Sequence, residues 1–456
     1  MIYSIRGAHV LSPQQLYPLI LNWTIALGRG GHSTATSSLA HLVTALLVGQ
    51  SLRPSALMRA LLSPNSAPAR QRYKRVARSW HRRWLSPEWL TPLLVRAALA
   101  LVKPDPSGSP IAGLTHLALD SVRCGGWEIF TLSVVWHGRG LPVGWAVLPY
   151  PWPKNRFTPT VCQMLQQVGA VWPPDRPAQL VADRAFPSLQ LFQTLRGIGW
   201  GWTVRLRAAN RVTVKGQPQM ARALLAEAQI GSWQVLVGFY GGGPRAVAGR
   251  LVVGRGLIVL PYHQRREGSL RQRARQRLER ERDLVFKHPG HPPAASLQTD
   301  GWMILFTSHT TWQQASLSYR RRWATEGIYR DAQGGWDGRQ GWDLERVVAR
   351  LKKSVQVERV VGLWALGALI QSWIGYQLMH SSSPQLQAVA GQWTTTDRLS
   401  IWTRGKLAFS EPSGLLSNWL TECLAAAAKM LADAPPMVVR PFPETNRAAK
   451  TIKKAA

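Results

Sequence analysis

The sequence predicts a mixed α/β protein whose sheet is interrupted by a mostly β stretch, with an all-α N-terminal region and a helical C-terminus. Three observations carry this. The first hundred residues repeat apolar side chains at three-four spacing, residues 114 to 207 alternate short apolar runs with helical patterns, and residues 208 to 305 are β-rich before helical character returns at Tyr319. The expected segments are a helical region over 1–104, the first part of an α/β core over 110–207 and a β-rich insertion over 208–305. A second part of the core follows over 306–380, then a helical, basic C-terminal region over 381–456.

Taken in order, LAHLVTALLVGQSLRPSALMRALL has the three-four spacing of a helix, and RQRYKRVARSWHRRW follows it. That second run holds seven Arg or Lys and no acid, interleaved with Tyr73, Trp80 and Trp84, so it reads as a nucleic-acid-contacting helix ahead of a solvated face. KPDPSGSP, 103 to 110, is Pro/Gly/Ser punctuation of the kind that links segments. LTHLALDSV, WEIFTLSVVWHGRG and LPVGWAVLPY read as three strands with turn residues between them. TPTVCQMLQQVGAV is a helix, AQLVADRAF a short buried strand, SLQLFQTLRGIG a helix and GWTVRLR a strand. SWQVLVGFY, RAVAGRLVVGRGLIVLPY and GWMILFT supply the β-rich insertion, interrupted by the charged helical run GSLRQRARQRLERERD. VVGLWALGALIQSWIGYQLM approaches membrane length, yet Gln371, three glycines and the basic run before it favour a buried core helix.

Charge narrows the partner. The 456 residues carry a formal net charge of +33, with a hydrophobic content of 45% that is ordinary for a folded protein. An excess of one sign on that scale points to a polyanion, and the abundance of Arg favours forked contacts to phosphate. Membrane-surface binding is the competing reading, but the basic residues are spread along the chain and form no single amphipathic anchor. Cys124, Cys162 and Cys423 make no C-x-x-C pair, which excludes a disulfide framework and a zinc signature and suits a reducing, cytoplasmic setting. His288 and His291 in KHPGHPP lack cysteine partners, and MIYSIRGAHVLS lacks the pattern of a signal peptide.

The acids are few, and three stand out. Asp120 in LALDSVR and Asp183 in LVADRAF each close an apolar strand, a position suited to a site residue and equally to a turn former or cap. Glu326 sits in SYRRRWATEGIYRDAQ, surrounded by Arg320, Arg321, Arg322 and Arg330, with Asp331 beyond. Divalent cations used in phosphoryl chemistry need a few hard carboxylate oxygens, and two such ions about 4 Å apart activate water and stabilise a leaving oxygen. On a helix, Tyr319, Arg322, Glu326 and Gln333 project from one face, pairing a carboxylate with groups suited to phosphate. The plain alternative is an intrahelical Arg322–Glu326 ion pair worth a few tenths of a kcal/mol.

Y-x-x-R-x-x-x-E on Tyr319, Arg322 and Glu326, placed on a helix after a long β insertion, resembles the signature of DDE-type insertion-sequence transposases. In that family the motif runs Tyr, Arg, Glu, Lys at spacings of three, four and seven. The first aspartate of the family matches Asp120 and the second Asp183, Arg205 in TVRLR resembles the basic residue of its post-insertion strand, and RDAQGGWDGRQGWDLERV resembles the stretch after its glutamate. The likeness spans roughly residues 35 to 375. The family's lysine is Gln333 here, so its phosphate-neutralising role falls to Arg330 one turn after Glu326, or is missing.

The resemblance implies an RNase H-like catalytic core split by the β insertion, with N-terminal helices that bind DNA. It implies that Asp120, Asp183 and Glu326 are catalytic and hold two Mg²⁺ ions (Mn²⁺ substituting), while Tyr319, Arg322, Arg330, Gln333, Arg205 and Arg184 contact DNA. Cleavage would leave a 3′-hydroxyl that attacks the opposite strand or target DNA, with no covalent protein–DNA intermediate. Relatives that pass through a hairpin flip a base onto an aromatic side chain. Trp302, Trp312 and Trp323 are candidates for that role, and none is assigned. The implied partner is double-stranded DNA, as terminal inverted repeats and target, handled by a homodimer in the bacterial cytoplasm, associated with the nucleoid and not with a membrane. A relative that binds DNA without cutting it is the other expectation.

Overall fold

The computed structural model describes residues 11–28, 34–61, 68–229, 232–255, 302–333, 342–386, 401–410 and 414–434. Over these the protein is mixed α/β, with ten strands and fourteen α-helices among the described residues. The chain divides into two compact units, Met1–Ala178 with Arg321–Ala456, and Gln179–Arg320. Of the expected elements, KHPGHPP, GSLRQRARQRLERERD, the end of RAVAGRLVVGRGLIVLPY and most of the Gly/Trp-rich stretch after Gln333 lie outside the described residues.

The first unit opens with α1 (Pro13–Gly28), α2 (Thr34–Gly49), α3 (Pro54–Ala60), α4 (Ala69–Ser79) and α5 (Pro87–Leu101). Then comes a meander of β1 (Thr115–Cys124), β2 (Trp127–Trp136) and β3 (Arg139–Pro149), followed by α6 (Phe157–Val171). The meander is antiparallel throughout, with Asp120 opposite Thr131 in the β1–β2 ladder. The later part of the chain returns to this unit as α10 (Trp323–Gln333), α11 (Leu344–Val348), α12 (Ser354–Met379), α13 (Ile401–Ser410) and α14 (Gly414–Asp433).

Helix α12 is the spine of the unit. It packs on β3, α2, α5 and α13, and includes the near-membrane-length stretch, whose apolar window is 94% buried within the protein. Its mean side-chain character is apolar all round, as burial on several sides requires. Gly362 lets the backbone of the 3-10 turn at Arg83–Leu85 come close: an added Cβ would lie 2.6 Å from the Leu85 carbonyl oxygen. A buried cation ties two other helices together. Arg96 donates to the carbonyls of Ala26 and Leu27 at the end of α1, and to those of Leu431 and Ala434 at the end of α14. Unpaired carbonyls at helix C-termini carry partial negative charge, so a buried guanidinium is stabilised there.

The second unit holds β4 (Ala178–Ala182), α7 (Leu189–Gly197), β5 (Gly201–Arg205), β6 (Arg211–Val214), β7 (Gln217–Met220), α8 (Ala223–Glu227), β8 (Trp233–Tyr240), β9 (Val247–Arg255), β10 (Trp302–Thr307) and α9 (Trp312–Arg320). Its strands run in the order β4-β5-β10-β9-β8-β6-β7. Only β4 and β5 pair in parallel, joined by the crossover through α7, and the rest are antiparallel. The β-rich stretch therefore extends one twisted sheet within this unit. Phe192, Trp202, Tyr240 and Phe306 form its aromatic centre, with ring centroids 4.7 to 6.1 Å apart.

Two expectations are corrected. Strand β1 does not end at Asp120 but runs on to Cys124, because Val122 and Arg123 continue the ladder with Ile129 and Glu128 before the turn at Gly125. Nor do Tyr319, Arg322 and Glu326 share one helix: α9 ends at Arg320 and α10 begins at Trp323. The interruption falls on two arginines whose side chains are claimed by separate carboxylates, Arg321 by Asp105 at 2.6 Å and Arg322 by Asp120 and Glu326.

Candidate active site

Asp120 lies where β1 changes from fully buried to half-buried side chains, so its carboxylate is at the rim of the apolar core. Its Oδ1 accepts from the Ser121 backbone N–H at 2.9 Å and its Oδ2 from the Thr325 hydroxyl at 3.2 Å. The guanidinium of Arg322 stands 3.8 Å from Oδ2 and, with its other nitrogen, 2.8 Å from Glu326 Oε1. Two acids just over two hundred residues apart in sequence thus meet one cation. The Arg322 side chain is only 7% exposed, whereas Glu326 is 36% exposed and opens the cluster to solvent. Arg322 also lies over the Trp323 ring, 4.6 Å from its centroid, which adds a cation–π contact.

Electrostatics single out Asp120. Burial raises its pKa to about 6, opposed by Arg322 and the Ser121 hydrogen bond and reinforced by the neighbouring Glu326. Desolvation penalises the charged form, and a like charge nearby adds to that penalty.

Helix α10 is positioned by contacts that hold this geometry. Thr325 shares its single hydroxyl proton between the Arg322 carbonyl at 2.8 Å and Asp120 at 3.2 Å. Tyr329 shares a hydrogen bond of 2.6 Å with Thr131, the residue opposite Asp120, and also reaches the Asp120 carbonyl at 3.4 Å. Complete burial holds the Tyr329 hydroxyl in its neutral form. Arg139 of β3 donates to Asp331 at 2.7 Å, and it passes so close to Gly327 that a Cβ there would meet the guanidinium at 2.8 Å. At the helix entry Asp105 accepts from Arg321 and pairs with the buried His116 at 3.0 Å. The segment expected as a linker is therefore anchored here. Burial raises the Asp105 pKa, but the His116 hydrogen bond and the Arg321 charge outweigh it and leave the carboxyl below its usual range.

In the second unit Asp183 immediately follows β4, and Tyr319 at the end of α9 donates its hydroxyl to Asp183 Oδ1 at 3.3 Å. Tyr319 is 5% exposed and packs with Val252, Leu305 and Ala315. The turn after Asp183 is fixed by Arg207, whose Nε donates to the Arg184 carbonyl at 2.7 Å. Arg205 closes β5 with its guanidinium 5.7 Å from the Trp302 ring centroid. Within the units, then, Asp120, Arg322 and Glu326 are brought together in the first, and Asp183 and Tyr319 in the second. Arg330 and Gln333 fall on α10, and their side chains lie outside the described residues. Among the described residues no group of three His, Cys, Asp or Glu is gathered as a metal-holding cluster.

Sequence reasoning missed Thr325, Tyr329 and the Asp105–His116–Arg321 anchor. A signal for the first two was present, since Thr325 and Tyr329 are four residues apart and so share a face of α10. Compared with models of known families and with curated proteins, the chain matches none.

Proposed function

We propose that the protein is a DNA transposase that cuts and joins transposon ends by phosphoryl transfer, on an RNase H-like catalytic core. The observation that carries this reading is the meeting of Asp120 and Glu326 at Arg322, in a chain whose net charge is +33. An acidic cluster needs a reason in so basic a protein. Handling phosphate through cations is one that also accounts for the charge around it.

What supports a hard divalent ion is the donor chemistry, since Asp120 and Glu326 bring carboxylate oxygens together at Arg322 and such ions take oxygen ligands. Asp120, Glu326 and Asp183 would hold Mg²⁺, as two ions with Mn²⁺ as substitute. When bound, these supply an activated water and stabilisation of the leaving oxygen. The chain's own residues do the rest. Arg322 places a buried positive charge beside both carboxylates. Thr325 and the Ser121 N–H fix the orientation of Asp120. Tyr319 does the same for Asp183. The dispersed arginines hold the DNA backbone, the sequence-independent part of affinity. As a homodimer in a synaptic complex, the protein would act on inverted repeats and target DNA in the bacterial cytoplasm.

A second reading, a decayed relative that binds ends without cutting them, is favoured by one residue: Gln333 stands where the resemblance has lysine. Incubation of the protein and Mg²⁺ with supercoiled plasmid carrying the DNA that flanks its own gene separates the two. Nicks with 3′-hydroxyl ends at the borders of the flanks support the transposase. Tight binding to those ends without any nick supports the decayed relative.

A further inference from the structure

Away from the carboxylates, the first unit has a cavity of about 660 Å³ between α2 and α4. Its wall carries Arg72, Lys74, Arg75, Arg78 and Arg82, and no acid. No carboxylate among the described residues forms an ion pair with any of the five. Arg72, Arg75 and Arg78 step by three along α4, so their Cα atoms rise about 4.5 Å at a time along the helix axis. Together with Arg82 they give the wall a run of closely spaced cations.

The rest of the lining is not that of a simple charged surface. Trp84 stands in the wall, partly buried, and Leu42 and Leu61 add apolar surface. His41 also lines the cavity, stacked on Tyr17 with ring centroids 4.1 Å apart. Burial and the charge of Arg75 lower its pKa to about 4, so it is neutral at physiological pH. Its Nδ1 is buried without a hydrogen-bond partner in the protein. The indole of Trp84 offers a face on which a base can stack, whereas the arginines meet backbone.

We infer that this cavity is a binding site for an unpaired strand of nucleic acid, with phosphates along Arg72, Arg75, Arg78 and Arg82 and a base against Trp84. A cationic track combined with an aromatic platform is how single strands are held without sequence preference. Trp84, Leu42 and Leu61 in the lining favour an unpaired strand over a duplex. The faces of paired bases stay stacked inside a duplex, and only an unpaired base can lay its face on a side chain. The choice of nucleic acid as partner rests on the reading proposed above, while the site and the strandedness do not depend on cleavage. Local opening of a duplex end, or a displaced strand beside a cut, would supply such a substrate.

The test is fluorescence anisotropy on the full-length chain carrying Asp120→Asn, with a labelled oligothymidylate of about 15 nucleotides and a duplex of equal length. Replacing Arg75, Arg78 and Arg82 together by Gln is expected to weaken single-strand binding at least about tenfold. It should also flatten the log–log salt dependence by about two, at roughly 0.7 for each phosphate no longer neutralised. Trp84→Leu is expected to weaken it about tenfold and Trp84→Phe to restore it, a contrast that tracks stacking and not bulk. The control is Arg350, Lys352 and Lys353 replaced together by Gln, three exposed cations outside the cavity. Single-strand binding that falls no further in the cavity triple than in the control overturns the site. Loss of duplex binding only, or Trp84→Leu indistinguishable from Trp84→Phe, overturns the unpaired strand as occupant. Failure of the parent protein to bind either oligonucleotide removes the nucleic-acid reading together with the site.

Discussion

At the scale of single residues the proposed chemistry rests on Asp120, a carboxylate whose charged form burial disfavours. Asp120 keeps its charge at neutral pH in a setting that raises its pKa to about 6. A carboxyl whose pKa is higher folded than unfolded stabilises the protein in its protonated form. That contribution is complete below the unfolded value near 4 and is lost as pH rises through about 6. Asp120→Asn is therefore expected to raise stability by about 2 kcal/mol at pH near 8, at 1.36 kcal/mol per pKa unit and with a weaker hold on Arg322. The gain should vanish near pH 4, as read by denaturant unfolding at the two pH values. An ordinary strand cap would show the opposite, a loss on substitution. Cleavage should decline as pH falls through about 6, where Asp120 takes up its proton. Gln333 and Arg330 offer a second residue-level expectation. Gln333→Lys keeps or raises single-turnover cleavage of bound ends, and Arg330→Ala lowers it roughly ten- to a hundred-fold, the value of a charge-assisted phosphate contact.

At the scale of elements, the start of α10 decides whether the carboxylates meet. Arg321 and Arg322 are adjacent but reach different acids, and the chain turns between α9 and α10 to allow it. Asp105→Ala removes one ion-pair partner from Arg321 and one from buried His116 together. It is expected to cost about 1–3 kcal/mol at neutral pH, the penalty of leaving a buried polar group unmet. Because the Asp105 pKa is lowered in the fold, its stabilising contribution is present above the unfolded value and lost as pH falls through the folded one. The difference between wild type and Asp105→Ala in denaturant unfolding should shrink accordingly on acidification. The sequence made part of this legible. Spacing alone paired Arg322 with Glu326, and the alternation of apolar runs located β1 to β5 and their helices. It did not show the break between α9 and α10, since what draws Arg321 and Arg322 apart are acids about two hundred residues earlier. The end of β1 was misplaced for a related reason. A polar residue at the edge of an apolar run looks like a terminus, but β2 supplies hydrogen bonds for four residues more.

At the scale of the whole molecule, the proposed function makes the net charge the main term in DNA binding. With a net +33, binding to its ends should weaken steeply between low and physiological salt, with a log–log slope corresponding to on the order of ten phosphates. A slope near that of one or two phosphates would mean that the excess charge is not directed at nucleic acid. Removal of the N-terminal helices is a poor way to localise recognition. Helix α1 packs on α14, α2 packs on α12, and Arg96 joins the ends of α1 and α14, so truncation would open the core of the first unit. Substitutions on exposed surfaces are the cleaner instrument. The most direct test of the central claim is a single-turnover cleavage assay on pre-bound DNA ends with Mg²⁺, run beside a binding assay, for Asp120→Asn, Asp183→Asn and Glu326→Gln. Loss of one carboxylate removes several kcal/mol of transition-state stabilisation, so each variant should bind as tightly as wild type and fail to cut. Near-wild-type cleavage by any one of the three would contradict the assignment of these carboxylates as the catalytic set.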